Sequence, residues 1–197
     1  MFELTNFIDN CLTQLDSEDP VAGIEGLAAE AMEEPQALRN ALPDSEFDES
    51  LVHACDRMTV VILRLTPNIH YPPHNHFMPV VIGAYEGQGT SIGYREEDGG
   101  LVRTEELSFS APEVAIVPRA AIHSVVNLGD TRSGELHIYL GDLVNQERTI
   151  WDPVTFERHP YSDEKYFELA TPFDSEKQFV RPKVPAVHDR HHDVRIA

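Results

Sequence analysis

Three histidines in this sequence are spaced so that they could bind one metal ion. His74 and His76 stand two positions apart in the segment 72–76, and His123 follows in the segment 117–127. Because residues i and i+2 of a strand project from the same face, His74 and His76 can point together into a barrel. One more inward imidazole, from His123, would complete a facial set of three nitrogens. Imidazole suits iron, zinc, copper or nickel, and three protein ligands leave open positions for a substrate and for oxygen.

The elements that must position these histidines follow from the spacing of the apolar residues. Residues 1 to about 42 repeat their apolar positions at three and four, which predicts short amphipathic helices, one of them starting at Asp19-Pro20. From about residue 51 the period changes to two, and β-rich runs between turn residues predict short antiparallel strands. These runs occupy residues 59–63, 80–85, 90–95, 101–108, 114–117, 122–126 and 135–140. The series predicts a mainly β fold, a small barrel or jelly roll.

The chain divides into three predicted parts. Residues 1–45 form an N-terminal helical segment, residues 46–150 form the barrel, and residues 151–197 wrap the barrel and end in a tail. The tail contains the histidine-rich tract 188–193, whose composition is typical of metal binding. We expect this tract to be a mobile tail.

The charge of the chain excludes several classes of partner. The sequence has 34 acidic and 15 basic residues, so its formal net charge is −19. Such a surface repels nucleic acid and anionic membranes. Two cysteines, Cys11 and Cys55, are too few for a disulfide scaffold, and residues 1–6 do not begin a secretory signal. We therefore expect a cytoplasmic protein without a membrane span.

The two histidine segments resemble the two signature stretches of the cupin superfamily. The first stretch of the family has His-x-His, then a glutamate and then a glycine; here Val80 or Val81 stands where the glutamate would be, and Gly87 follows. The second stretch of the family is matched by Pro118, Ala120, His123 and Asn127. The resemblance covers roughly residues 50 to 145. It implies a cupin double-stranded β-helix, preceded here by the helical segment.

Loss of the glutamate leaves a neutral site of three histidines, which is similar to the cysteine dioxygenase and thiol dioxygenase branch of the cupins. The strand Glu135-Leu136-His137-Ile138-Tyr139 also resembles the Ser-x-His-x-Tyr strand of those enzymes. The resemblance implies that Tyr139 lies beside the oxygen site and that His137 orients it. Glu135 replaces the serine of the family. The helices ahead of the barrel also resemble the N-terminal portion of these enzymes.

Other positions depart from the cysteine dioxygenase pattern. The arginine that holds the substrate carboxylate in that family has no match at Leu51-Val52-His53-Ala54. We therefore take Arg64 and Arg95, each on a predicted strand, as the candidate residues for binding an anionic substrate. The segments 82–87 and 151–153 look more like a branch of predicted metal-dependent cupins. The sequence His74 to Pro79 nevertheless lacks that branch's arginine and tryptophan.

The leading hypothesis is a mononuclear non-haem Fe(II) dioxygenase that uses O2 to oxidise a small thiol to its sulfinate. His74, His76 and His123 would hold the metal, while Tyr139 and His137 would act on the oxygen side. Zinc, nickel, manganese and copper are the alternative metals. A metal-dependent lyase, isomerase or carbon–carbon-cleaving dioxygenase acting on a non-thiol small molecule is the alternative enzyme, and a non-catalytic ligand-binding cupin is the third hypothesis. Sheet edges are commonly covered by pairing, so a homodimer is compatible with the sequence.

Overall fold

Three helices precede the barrel in the computed structural model, which describes residues 2–45, 47–98 and 100–173. They are α1 (Leu4–Gln14), α2 (Pro20–Met32) and α3 (Pro35–Ala41). The predicted helix start at Asp19-Pro20 is confirmed, because the Asp19 carboxylate accepts a hydrogen bond of 3.1 Å from the Ala22 backbone N–H and so caps α2. The histidine-rich tract 188–193 lies outside the described residues.

The strands form two antiparallel sheets that face each other. Their bounds are β1 (Glu49–Ala54), β2 (Thr59–Leu63), β3 (Ile69–Asn75), β4 (Val80–Glu86), β5 (Gln88–Glu97), β6 (Gly100–Ser110), β7 (Glu113–Val117), β8 (Ile122–Val126), β9 (Gly134–Tyr139), β10 (Thr149–Trp151), β11 (Arg158–Pro160) and β12 (Thr171–Pro172), with α4 (Asp163–Leu169) before β12. The first sheet has the order β1-β2-β9-β4-β7, and the second has the order β11-β10-β3-β8-β5-β6 with β12 on β3. This is the predicted double-stranded β-helix with a helical N-terminal segment.

Strand β3 carries two consecutive prolines, Pro72 and Pro73, which have no N–H to give to a ladder. The pairing of β3 with β8 accommodates them, because the register shifts between Tyr71 and His74. An irregularity at this point is where proline is tolerated within a sheet. The ladder resumes with His74 opposite His123, so the bulge delivers one metal-ligand candidate directly across from another.

The first sheet is buried on both faces, which explains its continuous apolar strands. One set of alternating residues packs against the three helices; it includes Val60, Ile62, Val81, Leu136 and Ile138. The other set faces the barrel interior; it includes Val61, Leu63, Val80, Ile82 and Tyr139. Side chains at positions 135, 137 and 139 of β9 therefore point inward together. Within the described part of the chain, no helix is long and apolar enough to cross a membrane.

Candidate metal centre

The three predicted ligands meet inside the barrel. His74 lies on β3, His76 directly follows β3, and His123 lies on the neighbouring strand β8. One ligand nitrogen from each ring lies within 4.8 Å of the other two, and the ring centroids are 4.8, 4.8 and 5.0 Å apart. After His76 the chain turns away through Phe77, whose φ of 58° is uncommon for a residue with a side chain. The cluster is compact enough for one ion to contact all three imidazoles.

Hydrogen bonds orient two of the rings. The Nδ1–H of His74 donates to the Pro72 carbonyl oxygen at 3.0 Å, which leaves its Nε2 lone pair free. Nδ1 of His123 shares a hydrogen bond of 2.9 Å with the Ser91 hydroxyl. Nε2 of His123 is buried and has no hydrogen-bond partner among the described residues. An orphaned buried nitrogen is costly, and a metal ion would satisfy it.

Burial keeps the three imidazoles neutral. It lowers the pKa of His74 to about 4, a value to which the nearby positive charge of Arg148 also contributes. Burial lowers the pKa of His76 and of His123 well below the ordinary range, and the neighbouring histidines act in the same direction. A metal binds only the deprotonated imidazole, so these ligands need not lose a proton near neutral pH.

A hydrogen-bonded chain of three side chains on β9 faces the histidine cluster. The Tyr139 ring lies 5.0 Å from the His76 ring, centroid to centroid. Its hydroxyl is 3.3 Å from Nδ1 of His137, and Nε2 of His137 is 2.9 Å from a Glu135 carboxylate oxygen. A carboxylate oxygen accepts, so the Nε2–H of His137 donates to Glu135, and Nδ1 of the same ring shares a hydrogen bond with the Tyr139 hydroxyl. Glu135, His137 and Tyr139 thus form one continuous hydrogen-bonded row on β9.

The Glu135 carboxylate is only 1% exposed, so its surroundings must provide both room and partners. The Ser133 hydroxyl donates to its other oxygen at 3.2 Å. Gly89 on β5 provides the room, since a Cβ at that position would lie 2.7 Å from the carboxylate and 2.9 Å from the Phe109 ring. The absence of a side chain at residue 89 therefore makes space for the buried acid.

The two arginines predicted to hold an anionic substrate do not reach the cluster. Arg64 follows β2 on the face of the first sheet that packs against the helices, and its Nη2 donates to the Pro43 carbonyl oxygen at 2.7 Å. Arg95 lies at the exposed end of the β5–β6 hairpin, where it forms an ion pair of 3.0 Å with Glu97. Both assignments are therefore corrected. Arg64 follows β2 on the face that points away from the barrel interior. Arg95 lies in the part of the β5–β6 hairpin that extends past the barrel.

Arg148, which the sequence reasoning missed, is the arginine that approaches the site. Its guanidinium carbon lies 3.5 Å from the centroid of the Tyr161 ring, and Tyr161 lies 6.2 Å from the His74 ring. Its charge lowers the pKa of His74 and His76 and opposes the rise that burial causes in the pKa of Tyr139. Its buried Nε has no hydrogen-bond partner among the described residues. No signal in the sequence marked Arg148, because the strand β10 that follows it has only three residues.

Tyrosines and one acid line the same side of the interior. The Tyr166 ring of α4 stands perpendicular to the His74 ring at 5.3 Å and stacks on Tyr71 at 5.5 Å. Glu49 pairs with the inward Leu63 across β1 and β2, so its side chain faces inward as well. Burial raises the pKa of Glu49, and Arg148 acts in the opposite direction. This side therefore combines one cation, one acid and several hydroxyls beside the histidines.

Comparison with known proteins gives structural similarities only. No family model matches the chain, and no curated protein matches it. Oxalate decarboxylase from Bacillus subtilis is similar over 44% of this chain, with 23% identity and a TM-score of 0.37. The similarity covers 22% of the decarboxylase, so this chain spans about a fifth of that protein.

Two smaller structures are also similar. An uncharacterised conserved protein with a double-stranded β-helix domain from Klebsiella pneumoniae matches over 57% of this chain and 92% of its own, with 16% identity and a TM-score of 0.41. A protein from Bacillus halodurans matches over 56% of this chain and 76% of its own, with 14% identity and a TM-score of 0.45. Similarity at this level does not bear on the chemistry, which has to be inferred from the residues of the site.

Proposed function

We propose that this protein is a mononuclear non-haem Fe(II) dioxygenase that oxidises a small, carboxylate-bearing thiol to its sulfinate. The observation that carries the proposal is the convergence of three buried, neutral imidazoles opposite the Tyr139 hydroxyl. The reaction is R–S⁻ + O2 → R–SO2⁻, in which sulfur is oxidised, dioxygen is reduced and both oxygen atoms enter the product. No further reductant is needed.

The donor set fits a metal ion of this kind. His74, His76 and His123 would hold it, and their neutrality would leave Fe(II) its full double charge, which favours an anionic thiolate over a neutral thiol. When bound, Fe(II) would supply the one-electron chemistry that lets dioxygen react with the thiol, which redox-inactive zinc does not offer. Three protein ligands would leave open positions on such an ion, so proximity and orientation of the reactants would provide much of the rate gain.

Arg148 would bind the carboxylate of the substrate. A guanidinium offers a planar set of donors that matches a carboxylate, and Nε of Arg148 is buried without a partner in the described structure. Contact with the Tyr161 ring fixes the plane of the guanidinium. A carboxylate bound there would lie near the histidines, because the Tyr161 ring that Arg148 contacts is 6.2 Å from the His74 ring.

Tyr139 would hold a proton at its hydroxyl oxygen and direct it to the oxygen end of the reaction. Burial raises the pKa of Tyr139, so the phenol stays protonated. Its hydrogen bond to His137 is long at 3.3 Å, which allows the hydroxyl to turn toward a ligand and stabilise a developing anion. Glu135 would act through His137 as a positioning residue, because it fixes which ring nitrogen carries the hydrogen.

Oxygen uptake by the Fe(II)-reconstituted protein tests the proposal. Small thiols with and without a carboxylate would be compared at equal chain length. We expect oxygen uptake that depends on the thiol and is faster for the carboxylate-bearing thiol. In the Tyr139→Phe variant, the rate of uptake should be at least tenfold lower or zero. Iron content would be measured in both proteins. Equal rates in wild type and Tyr139→Phe at equal iron content would contradict the role given to the hydroxyl.

A further inference from the structure

The segment that carries Arg148 has little backbone pairing with the histidine strand β3. Strand β10 begins at the next residue, Thr149, and has three residues. Among the described residues, its ladder with β3 contains one residue pair, Ile150 opposite His74. In an antiparallel register this pair sets Thr149 opposite Asn75. The backbone beside Arg148 therefore needs a further contact to hold it against β3.

The Asn75 side chain provides that contact. Its Oδ1 accepts a hydrogen bond of 2.9 Å from the Thr149 backbone N–H, which links two residues that are 74 positions apart in the sequence. Asn75 is 5% exposed and Thr149 is 7% exposed, so water competes little for this bond. A buried backbone N–H needs a partner, and here a side-chain amide takes the place of a backbone carbonyl. Asn75 therefore extends the pairing of β3 with β10 by one residue.

The position of Asn75 in the chain makes this contact relevant to the site. Its two neighbours are His74 and His76, and the neighbour of Thr149 is Arg148. One hydrogen bond thus connects the backbone that carries two metal-ligand candidates to the backbone that carries the cation. A change in this connection would change the distance between the histidines and the guanidinium.

Other contacts of the Arg148 segment do not reach β3. The Tyr161 backbone N–H donates to the Arg148 carbonyl oxygen at 3.0 Å, and the Tyr161 ring lies against the guanidinium. Arg158 bonds at 3.2 Å to the side-chain hydroxyl of Thr149, but the Arg158 side chain is 64% exposed. A long exposed side chain loses much rotamer freedom when it is held in one place, so this bond is a weak support for the backbone. Asn75 is the buried side chain that ties the segment to the histidine strand.

We propose that Asn75 is a positioning residue that sets the distance between the histidine cluster and Arg148, and with it the length of substrate that the site prefers. The proposal rests on the function proposed above, in which the sulfur end of the substrate binds at the histidine cluster and its carboxylate binds Arg148. A ligand held at both ends is selected by length only if the two binding groups keep a fixed separation. Without the Asn75 hydrogen bond, Arg148 would move to meet shorter or longer thiols. The site would then bind the preferred length more weakly and lose its selectivity.

Anaerobic isothermal titration calorimetry of the Fe(II)-reconstituted full chain tests this proposal, because it measures binding without turnover. The probes are mercaptoacetate, 3-mercaptopropionate and 4-mercaptobutyrate, with 3-mercaptopropanamide as the neutral thiol. In the wild type, one of the three acids should bind about tenfold more tightly than the others. Asn75→Leu removes the acceptor oxygen at similar volume, so the ratio should fall to about threefold or less while binding of the neutral thiol stays the same. Asn75→Asp keeps an acceptor oxygen and should restore the wild-type ratio.

Hydrogen exchange of the Thr149 amide reports on the contact itself, without metal or substrate. Exchange should be about tenfold faster in Asn75→Leu than in the wild type or in Asn75→Asp. Asn127→Ala is the matched control, because Asn127 is also a buried amide whose Oδ1 accepts from a backbone N–H, that of Gly129, at 2.8 Å. Asn127 follows β8 at the end away from the histidines, so this variant should change neither the Thr149 exchange nor the length preference.

The outcomes separate this inference from the proposed function. A wild type that binds the acids with a length preference, lost in Asn75→Leu, but consumes no oxygen with any thiol would contradict the dioxygenase and support the role of Asn75. An unchanged length preference or unchanged Thr149 exchange in Asn75→Leu would overturn that role, whatever the oxygen uptake. A wild type that binds the three acids equally well, or binds none of them, would also overturn it. Should Asn75→Leu fail to fold or to hold iron, Asn75→Ala is judged by the same measurements.

Discussion

Replacing Arg148 with methionine should reduce turnover of carboxylate-bearing thiols selectively. Among the described residues, the buried Nε of Arg148 has no hydrogen-bond partner. A hydrogen bond from it to a substrate carboxylate would contribute about 1.5–3 kcal/mol, the range for hydrogen bonds to charged groups. The side chain as a whole is only partly buried, so the lower part of that range applies. At about 1.4 kcal/mol for each factor of ten, kcat/KM should fall roughly 10- to 30-fold.

The assay is the initial rate of oxygen uptake for two thiols of equal length, one with a carboxylate and one with a neutral end group. Only the first should respond to Arg148→Met. Arg158→Met is a matched control, because Arg158 bonds to Thr149 from the adjoining strand and lies 5.9 Å from the Trp151 ring. The reasoning is refuted if both thiols lose activity equally in Arg148→Met, or if Arg158→Met reproduces the selectivity.

Three further predictions follow from the buried groups around the site. Glu135→Gln should lower kcat by at least tenfold while iron content stays at the wild-type level, and iron loss without a lower rate per iron would contradict its positioning role. Gly89→Ala should lower the unfolding free energy by about 1–3 kcal/mol in a urea titration, because its Cβ would lie 2.7 Å from Glu135. Gly26→Ala is the control: a Cβ there would have no neighbour within 4 Å, so the unfolding free energy should not fall. Burial lowers the pKa of His70 to about 4, so between pH 6.5 and 4 only the unfolded chain binds its proton. As the pH is lowered through this range, His70 alone should contribute a loss of stability of up to about 1.4 kcal/mol per unit, so the slope should be less steep in His70→Gln; identical slopes in urea titrations would refute this.

The sequence predicted the residues that converge, because the features that bring them together are local. His74 and His76 stand two apart near a strand end, and His137 and Tyr139 stand two apart within β9, so period two alone places each pair on one face. The barrel followed from the same period and from regularly spaced turns. No comparable local signal existed for strand β3, whose prolines are unfavourable within a sheet and are tolerated here only at a register shift.

The arginines could not be assigned from the sequence, because their positions depend on long-range register. Arg64 shares a face with Val60 and Ile62, and only the packing of the helices shows that this face lies outside the barrel. Arg148 reaches the site because β10, a strand of three residues, pairs Ile150 with His74. A strand that short gives no periodic signal, and its partner lies far away in the sequence.

The position of Arg148 also bears on the alternative functions. A pocket without an arginine to hold a carboxylate would favour a lyase, an isomerase or a carbon–carbon-cleaving dioxygenase over a thiol dioxygenase, and the sequence offers no such arginine upstream of the barrel. Arg148, which comes after strand β9 in the sequence, supplies a cation near the histidines. The missing upstream arginine therefore no longer separates these hypotheses. A lyase, an isomerase or a non-catalytic binding protein would consume no oxygen, and a carbon–carbon-cleaving dioxygenase would consume it without needing a thiol.

Product analysis under ¹⁸O2 tests the central claim most directly. The Fe(II)-reconstituted full chain would be incubated with a carboxylate-bearing thiol, and the product examined by mass spectrometry beside the His123→Ala variant. Since both proteins keep the histidine-rich tract 188–193, metal bound there cancels in the comparison. The proposal predicts a sulfinate in which both oxygen atoms come from dioxygen, formed by the wild type and not by the variant. A wild type that holds one iron per chain and yields no labelled sulfinate would contradict it.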